Sequence, residues 1–145
     1  MDRNAVVAAL NEALALEYAA VVQYAQCSYC VKGFRRLAVA GWFFNQASKS
    51  LTHARLIGDK IVALGGIPTT RVGSVKEAQD LTSMVKLSLE MERRSVQSYQ
   101  AALTLAAEDT ALRVLLESRI EAEQADVEEL EKMLADPDQL RTSEI

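Results

Sequence analysis

The segment "GGIPTTRVGS", residues 65–74, decides the fold because it separates two long stretches that have helical periodicity. Gly and Pro interrupt helical patterns, so this segment predicts a connection rather than a helix. At ~3.3 Å per extended residue, a connection of this length reaches roughly 33 Å, which approaches the length of one long helix. It is therefore long enough to cross a helix bundle from end to end, in which case the two helices that flank it run parallel.

Four long helices are predicted around this connection, on the apolar stripes that recur with helical spacing. They cover about residues 4–32, 36–64, 75–107 and 110–136. The third is expected to begin after Ser74, where "SVKE" is a capping-box pattern. Short turns join the first helix to the second and the third to the fourth, which makes each pair an antiparallel hairpin.

The sequence thus predicts an all-α protein. Its four-helix bundle, two antiparallel helical hairpins joined by a crossover, is expected to occupy residues 1–135, with a short C-terminal tail at 136–145. Half of the 145 residues are hydrophobic, which suits one domain with one core. The net charge of -4 and the lack of a Lys/Arg stripe argue against nucleic-acid binding. No membrane span or signal-peptide layout is expected, and two cysteines favour a cytoplasmic location.

Acidic residues interrupt the apolar stripes of three helices. Glu17 falls between Leu14 and Val21, and Glu92 and Glu123 interrupt the stripes of the third and fourth helices in the same way. A carboxylate that points into a bundle core is costly unless it is paired, protonated or bound to a cation. These positions therefore indicate either a cation site or a set of buried ion pairs.

Hairpin geometry predicts that these side chains share one level. Residues equidistant from a tight turn lie at the same height, and this applies to Glu17 with Ser50 and to Glu92 with Glu123. His53, the only histidine, lies one helical turn from Ser50 on the same face. If the hairpins pack with these levels aligned, carboxylates and an imidazole converge at mid-bundle. Such a set suits Fe(II), Mn(II) or Zn(II).

Four segments carry a family resemblance: "LNEALALEYAAVVQY" (10–24), "HARLIGDKIVALGGIP" (53–68), "LEMERRSVQSYQAALTLAAED" (89–109) and "RVLLESRIEAEQADVEELE" (113–131). Together they resemble the bacterioferritins, within the ferritin-like di-iron carboxylate proteins. That family takes one Glu from each of two helices and a Glu-x-x-His motif from each of the other two. The resemblance implies a ferritin-like fold, in which the fifth helix is short or absent here.

The resemblance also implies roles for individual residues. The implied metal ligands are Glu17, His53, Glu92, Glu123 and Asp126, and the implied catalytic residues are Glu17, Glu123 and Tyr24. Glu17 and His53 would hold one iron ion and Glu92 and Asp126 a second, with Glu123 as the bridge. One or two ions per chain are expected, with Mn or Zn as alternatives. Haem is not expected, because the family's haem methionine falls at Leu51.

The chain departs from the family pattern at Ser50, which replaces a Glu, and at Asp126, which replaces a His. An aspartate can ligate the same metals, but a serine hydroxyl is a weak neutral ligand. Two hypotheses follow. The first is Fe(II) oxidation by O₂ or peroxide at an incomplete di-metal site, with possible iron storage or detoxification. The second is a catalytically silent structural or hetero-oligomer subunit that binds one metal or none.

Each pattern also has a simpler interpretation that stays open. Arginines near the predicted centre, at positions 55, 94 and 119, would form a buried salt-bridge lattice in place of a metal. Cys27 and Cys30 are expected to be inert thiols, with a soft-metal or redox pair as the alternative. The aromatic run "GWFF", residues 41–44, predicts core packing plus a subunit contact. The expected assembly is a homo-oligomer, at least a dimer, or a mixed assembly with a related subunit.

Overall fold

The computed structural model describes residues 1–135, which fold into a bundle of four α-helices. The helices are α1 (Arg3–Cys30), α2 (Arg36–Ala63), α3 (Leu81–Leu105) and α4 (Thr110–Leu134). This confirms the predicted all-α class, the two hairpins and the four-helix count within the described part of the chain. The predicted tail at 136–145, and with it the expectation about a fifth helix, lies outside the described residues.

The crossover lies along α1 and is fixed to it by three backbone donors. The N–H of Thr69 donates to Asn11 Oδ1 at 2.8 Å, that of Gly73 to the Ala15 carbonyl at 2.9 Å, and that of Lys76 to Gln23 Oε1 at 3.3 Å. The acceptors follow one another along α1 in the same order as the donors. The crossover therefore runs the length of the bundle, and α2 and α3 are parallel, as predicted.

The predicted start of α3 is wrong by about two helical turns. The helix begins at Leu81 rather than after Ser74, and Asp80 is its N-cap, with Oδ1 accepting from the N–H of Ser83 at 2.9 Å. The reason is tertiary. Lys76 donates its N–H to Gln23 on α1, so the backbone of the predicted first turn is held in the crossover instead of a helix. The capping-box pattern at Ser74 therefore does not start a helix, because the contact of Lys76 with Gln23 keeps this backbone in the crossover.

A Gly73→Ala substitution tests how closely the crossover must approach α1. A Cβ atom at Gly73 would lie 3.0 Å from the Ala15 carbonyl oxygen and 3.4 Å from Ala19 Cβ. Because backbone has to shift to make room, we expect a loss of about 1–3 kcal/mol in the free energy of unfolding, measured by urea titration. Gly41→Ala is the matched control. Gly41 lies within α2, and a Cβ added there would meet no atom within 4 Å, so alanine should stabilise the helix. Equal effects at the two positions would contradict this account of the crossover.

The core consists of two apolar clusters with a polar layer between them. The buried members of one cluster include Val6, Leu10, Leu14, Ile57, Ile61, Leu112 and Leu116. Those of the other include Tyr24, Cys27, Phe43, Met84, Val85, Leu89, Val127 and Leu130. The side chains buried between them are the acidic ones that interrupt the stripes. The fold therefore places charge in the middle of the bundle, where water cannot easily reach it.

Helix α1 is long and apolar enough, by length and composition alone, to cross a membrane. The sequence analysis expects no membrane span, and α1 meets this criterion of length and composition because it is rich in Ala, Val and Leu. Its buried face belongs to the bundle core and carries Glu17 and Gln23. A buried core helix of a bundle also meets this criterion of length and hydropathy, so composition does not distinguish a membrane span from a core helix.

Candidate metal centre

Three glutamates from three helices are buried at the level between the two apolar clusters. Glu17 on α1 is 1% exposed, and Glu92 on α3 and Glu123 on α4 are each 3% exposed. His53 on α2 and Asp126 on α4 are half-buried beside them. The structure thus brings all five predicted ligands to one place, and every helix contributes at least one of them.

These side chains form two groups that share one member. The ligand atoms of Glu17, His53 and Glu123 lie within 4.8 Å of one another, and so do those of Glu92, Glu123 and Asp126. His53 Nδ1 is 3.3 Å from Glu123 Oε1 and 3.6 Å from Glu17 Oε2. Glu123 is therefore the one residue that the two groups share.

The residues present fit a bound cation, because several of their buried atoms lack any hydrogen-bond partner. These atoms are His53 Nδ1, Glu92 Oε2 and Glu123 Oε1. A buried polar atom without a partner costs about 1–3 kcal/mol, and more when the group is charged. All three are atoms that can ligate a divalent metal, and a cation among them would satisfy them together.

Two tyrosines orient the carboxylates. Tyr24 donates its hydroxyl to Glu92 Oε1 and Tyr99 donates its hydroxyl to Glu17 Oε1, each at 2.8 Å. Each tyrosine lies seven residues after the glutamate of its own helix but binds the glutamate of the other, so the two contacts are reciprocal across the antiparallel α1–α3 pair. One oxygen of each carboxylate is fixed in this way, which leaves the second for a metal ion.

The sequence analysis missed the contact of Tyr99 with the centre, since the pattern places this residue only on the apolar stripe of α3. The signal that could have found it is the repeated spacing, Glu17 to Tyr24 and Glu92 to Tyr99, in the two helices that pack antiparallel. Tyr24, by contrast, is predicted to lie near the metals, and its hydroxyl does contact a predicted ligand.

Burial and mutual repulsion shift the titration of the cluster. Burial, and after it the neighbouring Glu123, raises the pKa of Glu92 well above its ordinary value, and burial also raises the pKa of Glu123. Burial together with Glu92 raises the pKa of Asp126 to about 6. Burial opposes protonation of His53, but the carboxylates of Glu123 and Glu17 outweigh it and raise its pKa to about 9. The metal-free centre therefore retains protons that a cation would displace.

These shifts predict that the metal-free protein loses stability as pH rises. The folded pKa of Asp126, about 6, exceeds the ordinary value of 3.8, and that of His53, about 9, exceeds the ordinary 6.5. The folded state thus binds more protons than the unfolded state, so stability is greatest below the ordinary pKa values and falls as pH rises through the folded ones. We expect the melting temperature in the presence of a chelator to decrease between about pH 4 and about pH 9. Asp126→Asn should flatten the acidic part of that profile, and a melting temperature that rises over this range would contradict the prediction.

The alternative of a buried arginine lattice is not found among the described residues. Arg55 pairs with Asp59 and Arg94 with Glu90, both on the surface. Arg119 forms no ion pair in this part of the chain, and its buried Nε and Nη1 atoms have no hydrogen-bond partner. Within residues 1–135, therefore, no guanidinium pairs with the central carboxylates.

The remaining predicted features have simple positions. Ser50 is 5% exposed and lies one turn before His53 on the same face of α2, so the position where the family has a carboxylate is buried and uncharged.

Cys27 is buried and packs in the second apolar cluster, and burial together with Cys30 raises the pKa of its thiol to about 11. That environment is typical of an inert structural thiol rather than a reactive one.

A four-helix bundle with a carboxylate-rich centre that draws on every helix defines the class of this protein: the helical-bundle carboxylate proteins. The particular family follows from comparison with known proteins. A model of the ferritin-like domain matches residues 7–140, and the chain belongs to that family.

Individual relatives agree with this assignment. The chain is 28% identical to a bacterioferritin of Mycobacterium leprae over 129 residues, which span 87% of this chain and 81% of that protein. It is also 28% identical to bacterioferritin BfrA of Mycobacterium tuberculosis, over 90% of this chain and 84% of the relative.

Two solved structures resemble this chain closely. A ferritin-like, diiron-carboxylate protein from Bacillus anthracis superposes with a TM-score of 0.90 at 33% identity, covering 92% of this chain and 98% of the other. A dodecameric thioferritin, the bacterioferritin-related protein from Bacteroides fragilis, superposes with a TM-score of 0.89 at 25% identity, covering 99% and 92%.

Proposed function

We propose that this protein binds Fe(II) at the mid-bundle centre and promotes its oxidation by O₂ or peroxide, in the service of iron storage or detoxification. Membership of the ferritin-like family and the likeness to bacterioferritins support iron binding in the broad sense. The observation that carries the proposal is the position of Glu123, whose carboxylate belongs to both ligand groups. Two Fe(II) ions that share one carboxylate ligand lie close enough together for each to give one electron to the same oxidant.

The charge of the centre supports two ions in spite of the two departures from the family pattern. Glu17, Glu92, Glu123 and Asp126 provide four carboxylates, the number that the family pattern also provides. The loss of a carboxylate at Ser50 is offset by its gain at Asp126. The negative charge thus still matches two divalent cations, although Ser50 leaves the His53 side of the centre with fewer oxygen ligands.

We propose a role for each residue of the centre, supported by the two ligand groups. Glu17 and His53 bind one Fe(II) and Glu92 and Asp126 the other, while Glu123 binds both. Tyr24 and Tyr99 hold Glu92 and Glu17 in place through their hydroxyl groups. Carboxylate oxygens stabilise Fe(III) more than Fe(II), since they are hard anionic ligands, so the centre favours the loss of an electron from the bound substrate. Mn(II) and Zn(II) suit the same donor set.

Anaerobic titration with Fe(II) tests the proposal. We expect binding to saturate near two ions per chain, followed by oxidation to Fe(III) when air is admitted, seen as absorbance in the near ultraviolet. Zn(II), which cannot be oxidised, serves as the control for binding alone, and it should compete for the same sites. Saturation at one ion or fewer, with no oxidation faster than in buffer, would favour the second candidate function.

That second candidate is a catalytically silent subunit that binds one metal or none, within a mixed assembly. The specific observation in its favour is the buried serine at position 50. A neutral hydroxyl cannot bridge two cations as a carboxylate does, so one of the two sites would be weak.

A homo-oligomer, at least a dimer, is the proposed assembly. Helix α2 exposes a row of large apolar side chains seven residues apart, with Leu37, Phe44 and Leu51 exposed by 91%, 49% and 58%. In the predicted aromatic run, Phe43 is buried in the core whereas Phe44 faces outward, which suits the combination of core packing and subunit contact.

The proposed location is the cytoplasm, and neither a nucleic acid nor a membrane is a proposed partner.

A further inference from the structure

Arg119 lies on α4 one helical turn before Glu123 and on the same face of the helix. Its side chain is half-buried, and its Nε and Nη1 atoms are buried without a hydrogen-bond partner. Within residues 1–135 the guanidinium forms no ion pair with any carboxylate. A buried cation is costly without a paired anion. The charge of Arg119 therefore acts on the centre without being neutralised by a direct contact.

Arg119 is on the same side of the centre as His53. Helices α2 and α3 are parallel and α3 and α4 form an antiparallel hairpin, so α2 and α4 are antiparallel. His53 lies beyond Ser50 toward the C-terminal end of α2, and Arg119 lies beyond Glu123 in that same direction along the bundle axis. Asp126 lies in the opposite direction, about 10 Å from Arg119 along the axis of α4. The buried cation is thus placed at one end of the centre.

The charge of Arg119 reaches His53. Burial lowers the pKa of His53, the carboxylates of Glu123 and Glu17 raise it, and Arg119 acts to lower it because like charges repel. A divalent ion bound by His53 carries twice the charge of a protonated imidazole. The guanidinium therefore opposes that ion more strongly than it opposes the proton.

The two ligand groups consequently differ in charge. The carboxylate group contains three carboxylates, those of Glu92, Glu123 and Asp126. The histidine group contains only two, and its members are Glu17, His53 and Glu123. The positive charge that acts most strongly on Asp126 is that of Lys49, but Lys49 is exposed on α2, where water and salt screen it. The carboxylate group is therefore the more negative of the two and has the weaker opposing cation.

We propose that Arg119 determines the difference in affinity between the two cation positions, and with it the Fe(II) concentration above which the centre oxidises iron. The inference rests on the proposed Fe(II) oxidation. The carboxylate group binds the first ion, and the histidine group, which Arg119 opposes, binds the second only at a higher concentration of Fe(II). Two Fe(II) ions give two electrons, which with two protons from solvent reduce O₂ to H₂O₂ or H₂O₂ to two waters. Both positions must be filled for that step, so the centre stays inactive while Fe(II) is scarce.

The first test is a calorimetric titration of the metal-free protein with Zn(II), which binds without being oxidised. We expect two steps of different affinity in the wild type. Arg119→Gln should raise the affinity of the weaker step at least about tenfold, because changes beside metal ligands typically alter affinity about 10–100-fold. Arg119→Lys keeps the charge and should keep the wild-type difference. Arg55→Gln is the control, since it removes a cation two residues from His53 whose side chain is 84% exposed, and it should change neither step.

Two further variants assign the steps to the two groups. His53→Gln should remove the weaker step and keep the stronger one, whereas Asp126→Asn should weaken the stronger step. The opposite assignment would overturn the inference. Circular dichroism shows whether each variant is folded, and Arg119→Met provides a second variant without the charge if Arg119→Gln does not fold.

The second test measures the initial rate of oxidation in air against the concentration of Fe(II). The wild type should show a sigmoidal dependence, because the rate follows the filling of the weaker position. Arg119→Gln should move the half-maximal concentration downward by the factor by which it raises the Zn(II) affinity of the weaker step. Arg119→Lys should retain the wild-type curve.

The outcomes separate this inference from the proposed function. Two equal Zn(II) affinities in the wild type, or a weaker step that Arg119→Gln leaves unchanged, would overturn the inference, and iron oxidation by the same proteins would leave the function standing. One Zn(II) per chain in the wild type and two in Arg119→Gln would support the inference as its extreme case. A weaker step that depends on Arg119, without iron oxidation in any variant, would retain Arg119 as the cause of the affinity difference and count against the proposed function.

Discussion

Glu123→Gln is expected to abolish binding of the second Fe(II) and to stop oxidation at the centre. Glutamine keeps the size and shape of the side chain but removes the negative charge and one of the oxygen ligands. Glu123 belongs to both ligand groups, so both ions lose a donor at once. Removal of a residue that merely orients a ligand lowers metal affinity about 10–100-fold, and we expect the loss of the shared ligand to reach at least about 100-fold. Calorimetric titration with Fe(II) under anaerobic conditions measures it.

Two controls show whether the loss of Fe(II) binding comes from unfolding of the variant or from the mere loss of one negative charge on α4. The circular dichroism spectrum and melting temperature of the metal-free variant show whether it is folded, because the substitution removes both a buried carboxylate and the partner that lies 3.3 Å from His53 Nδ1. Glu121→Gln changes an exposed glutamate two positions away on α4 and should leave Fe(II) binding intact. If Glu123→Gln bound two Fe(II) per chain with wild-type affinity, the bridging role would be wrong.

The convergence of the acidic residues was predictable, because residues equidistant from the turn of an antiparallel hairpin lie at the same level along the bundle axis. Once two antiparallel hairpins are recognised, Glu17 must lie near Ser50 and Glu92 near Glu123, whatever the details of packing. The length of the crossover allowed α2 and α3 to run parallel. In that arrangement the level of Glu17 and Ser50 in the first hairpin can align with the level of Glu92 and Glu123 in the second. The structure agrees with this reasoning through contacts that join the hairpins, such as that of His53 Nδ1 to Glu123 Oε1 at 3.3 Å.

What the sequence did not predict depends on tertiary contacts between polar groups. The capping-box pattern after Ser74 is as good locally as Asp80, and only the contact of Lys76 with Gln23 on α1 decides between them. Tyr99 likewise looked like one more apolar position on α3, because its hydroxyl partner, Glu17, is 82 residues away in the chain. The ligand role of the five central residues stays a prediction until a metal is measured.

Ser50→Glu is expected to raise both Fe(II) affinity and oxidation rate, since it restores a carboxylate on the face of α2 that carries His53. Ser50 is 5% exposed, so the new carboxylate would be buried beside a cluster that already repels further negative charge. In the metal-free protein that is unfavourable, and the variant should melt at a lower temperature than the wild type in the presence of a chelator. Saturating Fe(II) or Zn(II) should reverse the order, because a ligand that binds only the folded state stabilises it more as its affinity rises.

Ser50→Gln is the matched control for this variant, with the same size and no charge. If the gain came from packing, glutamine would produce it as well; if it comes from a restored ligand, only glutamate will. A tenfold gain in affinity corresponds to about 1.4 kcal/mol, and a carboxylate that joins the His53 side of the centre should give at least that. A Ser50→Glu protein that binds no more Fe(II) than the glutamine control would mean that position 50 does not face the ions, and the His53 side of the proposed centre would have to be abandoned.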